Sequence, residues 1–178
     1  GLFPHNGVAC NLPSGEAYVV PYEGERPGDG SRSAGTLPLQ LGDEVLVLTI
    51  ARNRVVSVAG DGPAARAEAD RFAREPAYAN VAELGLGVLG DFGVEPCGSI
   101  LLDEKLGLHV AFGRSDHFGG AVGPGDFSSP DAVIHLDRVY IPATQPRVHV
   151  AEVRLEGPRG TTVVMRDGRY VSRPAEGA

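Results

Sequence analysis

The pattern of apolar and polar positions first predicts a β-hairpin in the first third of the chain. Residues 44–50 and 55–58 are rich in Val, Leu and Ile, and a polar turn at residues 51–54 separates them. Two β-branched runs joined by a short polar turn are typical of paired antiparallel strands. We therefore expect a sheet to begin in this part of the chain.

A helical pattern follows directly after the hairpin. Residues 63–75 consist mainly of strong helix formers, begin with a proline and stop before Pro76, as helices do when prolines flank them. Ala65, Ala69 and Phe72 recur at helical spacing. We expect this main helix to pack on the sheet through that apolar face.

The remaining pattern predicts a strand-rich fold with long loops. A short second helix or turn is expected over residues 77–84, with Glu83 near its end. Residues 22–35 are expected to form an exposed loop, and residues 113–129 a glycine-rich loop beside the functional site. Further strands are expected at residues 99–102, 106–112, 132–141, 148–155 and 161–165. The expected fold of residues 1–178 is a single α+β domain: a strand-rich mixed sheet or partly closed barrel with one main helix and a short second helix.

Composition and charge exclude several classes of partner. The chain has 178 residues, 25 glycines, 14 prolines, no tryptophan and a net charge of −7. Its arginines are scattered among acidic residues, so we expect no nucleic-acid partner. No run of apolar residues reaches the roughly 20 needed for a membrane span. Two cysteines, Cys10 and Cys97, fit a reduced, cytoplasmic setting.

Five side chains that bind metals stand in apolar or turn-like surroundings. His135 and Asp137 are two residues apart, so in a strand they point to the same face. His109 lies in an apolar run, Glu83 lies between Ala and Leu, and Glu16 lies where a turn meets a strand. Each alone has a simpler explanation, such as a polar strand face or a hydrogen-bonded core histidine. Together they indicate a dinuclear metal centre, and hydrolysis is the first reaction class to consider.

The chain resembles a known enzyme family in these segments. The motif Asn11-Leu12-Pro13-Ser14-Gly15-Glu16 and the later His135-Leu136-Asp137 are similar, in order and approximate spacing, to the C-terminal, metal-binding half of the M29 family of metallopeptidases, the aminopeptidase T and aminopeptidase S type. The resemblance implies two divalent ions (Zn, Co or Mn), a peptide substrate, and removal of its N-terminal residues through a metal-bound water. The metal ligands implied are Glu16, Glu83 as the bridge, His109, His135 and Asp137.

Two departures from that family change the expected mechanism. Family members have a tyrosine shortly after the first histidine, where this chain has Asp116; they also have an additional N-terminal α/β domain. The expected candidates for base catalysis are Asp116, Glu104 and His117. The alternative interpretation of each is a solvated loop residue without a catalytic role. Arg114 and Lys105 are candidates for binding a substrate carboxylate. A homodimer or a partner chain is expected to supply the missing domain.

Two alternative functions remain open at this point. His109, His135 and Asp137 form a 2-His-1-carboxylate set, which suits a single non-haem Fe(II) ion. Residues 102–105 and 118–120 are similar to segments of proteins related to dihydroxypyridine dioxygenases. The other alternative is a shortened homologue that binds or modifies a peptide without hydrolysing it and needs a partner.

Overall fold

The described part of the protein folds into three separate antiparallel sheets with two helices. The computed structural model describes residues 15–171. The motif residues 11–14 and Cys10 therefore lie outside the described residues. The elements are β1 (Glu16–Val19), β2 (Ala34–Leu41), β3 (Glu44–Ala51), β4 (Arg54–Ala59), α1 (Pro63–Arg74), β5 (Val81–Gly87), α2 (Ile100–Asp103), β6 (Leu108–Gly113), β7 (His135–Val139), β8 (Glu152–Gly157), β9 (Gly160–Arg166) and β10 (Arg169–Tyr170).

The predicted hairpin of β3 and β4 is confirmed. Arg52 and Asn53 both have positive φ angles, of 51° and 63°, and such two-residue turns match the twist of antiparallel strands. Strand β2 pairs with the other side of β3 to complete a three-stranded sheet. The side chain of Asn53 donates to the carbonyl oxygen of Val81 at 2.8 Å, which ties this hairpin to the sheet that contains β5.

The core lies between the sheet of β2, β3 and β4, helix α1 and one face of a four-stranded sheet. Leu46 and Leu48 of β3, Ala65 of α1, and Val110 and Phe112 of β6 all belong to one buried apolar cluster. Burial of apolar side chains of this size stabilises each by about 1.5–3 kcal/mol. Because strand residues alternate between faces, the neighbours of Val110 and Phe112 in β6 point away from this core.

The four-stranded sheet has the order β1-β5-β6-β7 and is antiparallel throughout. The third sheet, β8 to β10, reaches it through the hydroxyl of Tyr170, which donates to the carbonyl oxygen of Gly87 at 2.8 Å. The expectation of a mixed sheet or partly closed barrel is wrong. Every strand pair among residues 15–171 is antiparallel and the strands divide into three sheets, while the two helices span only 12 and 4 residues.

Two predicted elements are also wrong, the helix or turn over residues 77–84 and the strand at residues 99–102. Long-range strand pairing explains the first. Residues 77–84 do not form a helix, because a 3₁₀ turn over Pro76–Ala79 leads directly into β5, which pairs with β1 and β6 on its two sides. Glu83 therefore lies inside a strand. The strand predicted at residues 99–102 is wrong, because helix α2 begins at Ile100. The carboxylate of Asp103 accepts hydrogen bonds from the backbone N–H groups of Cys97 and Gly98 and closes a turn there.

Smaller differences concern the helix face and one loop. Ala65 is buried and Phe72 packs against the core, as predicted, but Ala69 is exposed and Glu68 is buried on that face. Ser31, in the segment expected to be exposed, is 7% exposed, although that segment otherwise forms loops before β2. No helix within residues 15–171 combines the length and apolar character needed to cross a bilayer.

Candidate metal centre

One face of the four-stranded sheet collects the five side chains that the sequence suggested as metal ligands. The strand register places both Glu83 and Asp137 opposite Ala111, and places His109 opposite Gly85. Residues directly opposite one another share a face, as do residues two apart in one strand. The five side chains on this face are Glu16 from β1, Glu83 from β5, His109 from β6, and His135 and Asp137 from β7.

Glu83 lies between the two histidines. Its Oε1 atom is 3.3 Å from Nε2 of His109, and its Oε2 atom is 3.0 Å from Nε2 of His135. Ligand atoms of Glu16, Glu83 and His109 lie within 4.8 Å of one another, as do those of Glu83, His135 and Asp137. The described residues thus form two adjacent three-residue groups that share one carboxylate.

Backbone carbonyl groups fix the orientation of both imidazole rings. Nδ1 of His109 is 3.2 Å from the carbonyl oxygen of Gly107, and Nδ1 of His135 is 2.7 Å from that of Arg114. Each Nδ1 therefore donates its N–H to a carbonyl oxygen, and each Nε2 faces Glu83, to which it donates when the ring is protonated. When the ring is neutral, the same Nε2 atom is available to bind a metal. This arrangement is typical of histidine ligands, whose second nitrogen is held by a hydrogen bond.

Two carboxylate oxygens in the cluster lack hydrogen-bond partners. Within residues 15–171, neither Oε2 of Glu16 nor Oδ1 of Asp137 accepts a hydrogen bond, although both atoms are buried. They lie 3.6 Å from Nε2 of His109 and 3.7 Å from Nε2 of His135, respectively. Burial of an ionised oxygen without a partner is costly, so these residues fit divalent cations on either side of Glu83.

Charge interactions shift the pKa values of the central groups in opposite directions. Burial would raise the pKa of Glu83, but His109 and His135 lower it to about 2. Burial would lower the pKa of His135, but Asp137 and Glu83 raise it to about 10. Burial would also lower the pKa of His109, but Glu83 raises it. The cluster therefore keeps Glu83 ionised and favours a positive charge at each imidazole, which a bound metal ion would supply in place of a proton.

Lys105 and Glu104 extend the cluster at the β1 side. Nζ of Lys105 lies 2.8 Å from Oε1 of Glu16 and 2.7 Å from Oε1 of Glu104. Burial raises the pKa of Glu104 despite the bond from Lys105, and Asp137 and Glu16 raise the pKa further. Lys105 thus neutralises two carboxylates. The sequence predicted instead that Lys105 binds a substrate carboxylate.

His117 and Phe118 form an aromatic wall beside His135. The His117 ring is 4.9 Å from the ring of His135, the Phe118 ring is 5.3 Å from it, and Phe118 also packs on Tyr18 at 4.7 Å. Burial lowers the pKa of His117, and the nearby charge on His135 lowers it further. Neither Tyr18 nor Phe118 was predicted as a site residue, because a single aromatic residue carries no local signal for a site.

Asp116 and Arg114 point to each other. Nε of Arg114 donates to Oδ1 of Asp116, and about a third of each side chain is exposed. Among the described contacts, the Asp116 carboxylate meets Arg114 and His117 but none of the five side chains around Glu83. The main chain of Arg114 nevertheless holds the His135 ring.

Glu23 joins the glycine-rich loop to the sheet. Its Oε1 atom accepts hydrogen bonds from Nδ2 of Asn80 and Oγ of Ser115, each at 2.7 Å, and its Oε2 atom accepts one from the N–H of Ala121. Sequence patterns could not reveal this connection, because Glu23 lies 57 residues from Asn80 and 92 residues from Ser115. It positions the loop that carries His117 and Phe118.

Comparison with known proteins identifies a structural neighbour. No family model and no curated protein sequence matches this chain. Among solved structures, wild-type AmpT from Thermus thermophilus matches with a TM-score of 0.53 and 18% identity, over 91% of this chain and 41% of AmpT. The chain therefore shares its fold with part of AmpT and spans less than half of that protein's length.

Proposed function

We propose that this chain is a metal-dependent hydrolase of the aminopeptidase type, which binds two divalent ions at the Glu83 cluster and removes N-terminal residues from peptides. The observation that carries the proposal is Glu83 facing one Nε2 atom with each oxygen, at 3.3 and 3.0 Å. The unpartnered oxygens of Glu16 and Asp137 support it. AmpT, whose fold the chain shares, is an M29 aminopeptidase.

The residues of the cluster divide into two sets of ligands. Glu16 and His109 would hold one ion and His135 and Asp137 the other, with Glu83 between them. Divalent ions in such pairs make water nucleophilic near neutral pH and polarise a carbonyl group. Zn, Co and Mn suit nitrogen and carboxylate ligands of this kind.

Glu104 is the strongest candidate for proton transfer at this site. Its carboxyl group is linked to Glu16 through Nζ of Lys105, with bonds of 2.7 and 2.8 Å. Asp116 is less suited, since among the described contacts its carboxylate meets Arg114 and His117 but none of the five side chains around Glu83. His117 lies against the His135 ring, where it would border the bound peptide.

The test combines metal analysis with peptide turnover. Protein loaded with Zn, Co or Mn should release the first residue of a short unblocked peptide, whereas an N-acetylated copy of that peptide should remain intact. The Glu83→Gln variant should lose both metal and turnover. A Glu156→Gln variant is the matched control, because that side chain is 64% exposed on β8. Absence of turnover with two bound ions would reject the hydrolase.

A second candidate function, peptide binding without hydrolysis, is favoured by Asp116. Family peptidases have a tyrosine there, and Asp116 instead pairs with Arg114, so this position supplies no phenol to donate to a developing oxyanion. Metal-loaded protein that binds peptides without releasing products would support this candidate. The geometry does not favour a single iron ion, because His109 and His135 belong to different ligand groups within the described residues.

We further propose that a second copy or a partner chain completes the substrate cavity. The support is the outer edge of β1, the strand that carries Glu16, because no other strand among residues 15–171 pairs with that edge. Light scattering of the purified chain tests the first possibility. A dimer is expected if a second copy contributes, and a monomer with full peptide turnover would contradict the proposal.

A further inference from the structure

At the outer edge of β7, the main-chain groups of His135 and Asp137 have no hydrogen-bond partner among the described residues, whereas the carbonyl oxygen of Val139 accepts a hydrogen bond from Thr144. The N–H of Tyr140 donates to Leu108, and the N–H of Arg114 donates to Ile134. In antiparallel pairs such bonded positions alternate, so residues 134, 136, 138 and 140 face β6. The N–H and C=O groups of His135 and Asp137 consequently point outward, and no other strand among residues 15–171 pairs with this edge.

A cleft of about 370 Å³ lies along the same edge, on the side of the sheet that faces α1. Residues 134–136 and Arg138 of the β7 region form one wall, and Glu68, Arg71 and Tyr78 form the other. This volume is of the size that receives a small ligand or a side chain.

The charges in the cleft do not balance. Oε1 of Glu68 accepts from Nη1 of Arg71 at 2.8 Å and lies 3.5 Å from Nη2 of Arg138. The single carboxylate of Glu68 therefore lies close to two positively charged guanidinium groups. Nε of Arg138 is buried and has no hydrogen-bond partner within the described residues. A second anion would neutralise the remaining positive charge.

Both arginines are held in place for such an anion. The guanidinium carbon of Arg71 lies 4.6 Å above the Tyr78 ring, an arrangement that restrains the side chain. The side chains of Arg71 and Arg138 are 22% and 19% exposed. A guanidinium group has five N–H donors in a planar fork, so both residues have donors left for a carboxylate in the cleft.

We propose that the outer edge of β7 and the Arg71–Arg138 cleft bind an extended peptide that carries an acidic side chain. The peptide would pair as an added strand with the main-chain groups of His135 and Asp137. Because side chains alternate along a strand, one of its carboxylates would enter the cleft while the next side chain would face the metal centre. This binding needs no metal and no turnover.

The experiment measures how tightly the full chain binds a fluorescent, N-acetylated peptide in which valine and glutamate alternate. Fluorescence anisotropy of the peptide reports the binding. The acetyl group prevents removal of the first residue, so failure of the proposed hydrolase leaves this test unaffected. Arg71→Gln should weaken binding about tenfold, the effect of one lost charge-assisted hydrogen bond. Arg74→Gln on the same helix is the matched control, because Arg74 is exposed and outside the cleft.

Two altered peptides separate the parts of the proposal. A glutamine copy should bind about tenfold more weakly because it lacks the carboxylate, and a copy methylated on alternate nitrogens should lose the strand pairing. Hydrogen exchange at the amides of His135 and Asp137 should slow when the original peptide binds. Three results would overturn the proposal. The first is that the glutamine copy binds as tightly as the original peptide, and the second is that the original peptide binds Arg71→Gln as tightly as the unaltered protein. The third is that inorganic phosphate, at the concentration of the peptide, displaces it completely.

Discussion

Gly85 of β5 lies directly opposite His109 of β6, and the imidazole ring occupies the space where a side chain at residue 85 would begin. A Cβ atom added to Gly85 would lie 1.9 Å from Nε2 and 2.1 Å from Cε1 of His109. The absence of a side chain therefore lets the ring lie flat on the sheet between Glu16 and Glu83.

Gly85→Ala is expected to displace the His109 ring and to lower metal affinity about 10- to 100-fold, the usual effect of disturbing the support of a ligand. Metal content after equilibrium dialysis measures this effect. Gly157→Ala provides the control, since a Cβ at that position meets nothing within 4 Å. Unchanged metal content in the Gly85→Ala protein would show that His109 is not a ligand.

Glu83→Gln is expected to reduce the number of bound ions from two to zero. The amide keeps the size of the side chain but removes the negative charge that Nε2 of His109 and Nε2 of His135 share. Elemental analysis of dialysed protein counts the ions. If Glu83→Gln retains two ions per chain, Glu83 does not bridge them.

Metal binding at about pH 7.5 is expected to release protons, because ligand histidines must be neutral. Burial would lower the pKa of His135, but Asp137 and Glu83 raise it to about 10. The ring is therefore protonated before binding at this pH and loses its proton on binding, whereas above pH 10 no proton remains to be released. Calorimetric titrations in two buffers with different heats of ionisation measure the released protons. Identical heats in both buffers would contradict the assignment.

Glu23→Ala is expected to destabilise the protein by about 2 kcal/mol, since three donors lose a charged acceptor. These donors belong to Asn80, Ser115 and Ala121. Urea unfolding measures the free energy, and hydrogen exchange at the amide of Ala121 should accelerate. Glu25→Ala should cost less, because the exposed Glu25 carboxylate accepts, among the described residues, from main-chain N–H groups of its own short segment such as those of residues 23 and 24. Equal effects of the two variants would refute the role of Glu23.

Local patterns predicted those parts of the fold that depend on neighbouring residues. The β3–β4 hairpin follows from its apolar runs and polar turn, and α1 follows from its composition and flanking prolines. The spacing of His135 and Asp137 also placed both on one face of a strand, as the structure has them.

Long-range pairing decided what the sequence patterns missed. Residues 77–84 contain good helix formers, yet β5 forms there because β1 and β6 pair with it on either side. The same register brings Glu83 opposite Ala111 and so between the two histidines. The cleft beside β7 depends on Glu68 of α1 meeting Arg138, which are 70 positions apart in the numbering. Periodicity within one element carries no information on such contacts.

Anomalous diffraction from crystals grown with Mn or Zn tests the dinuclear centre most directly. Two peaks about 3.5–4 Å apart are expected, one between Glu16 and His109, the other between His135 and Asp137, with Glu83 contacting both. A single peak at this face of the sheet, or ions bound only elsewhere on the protein, would contradict the account.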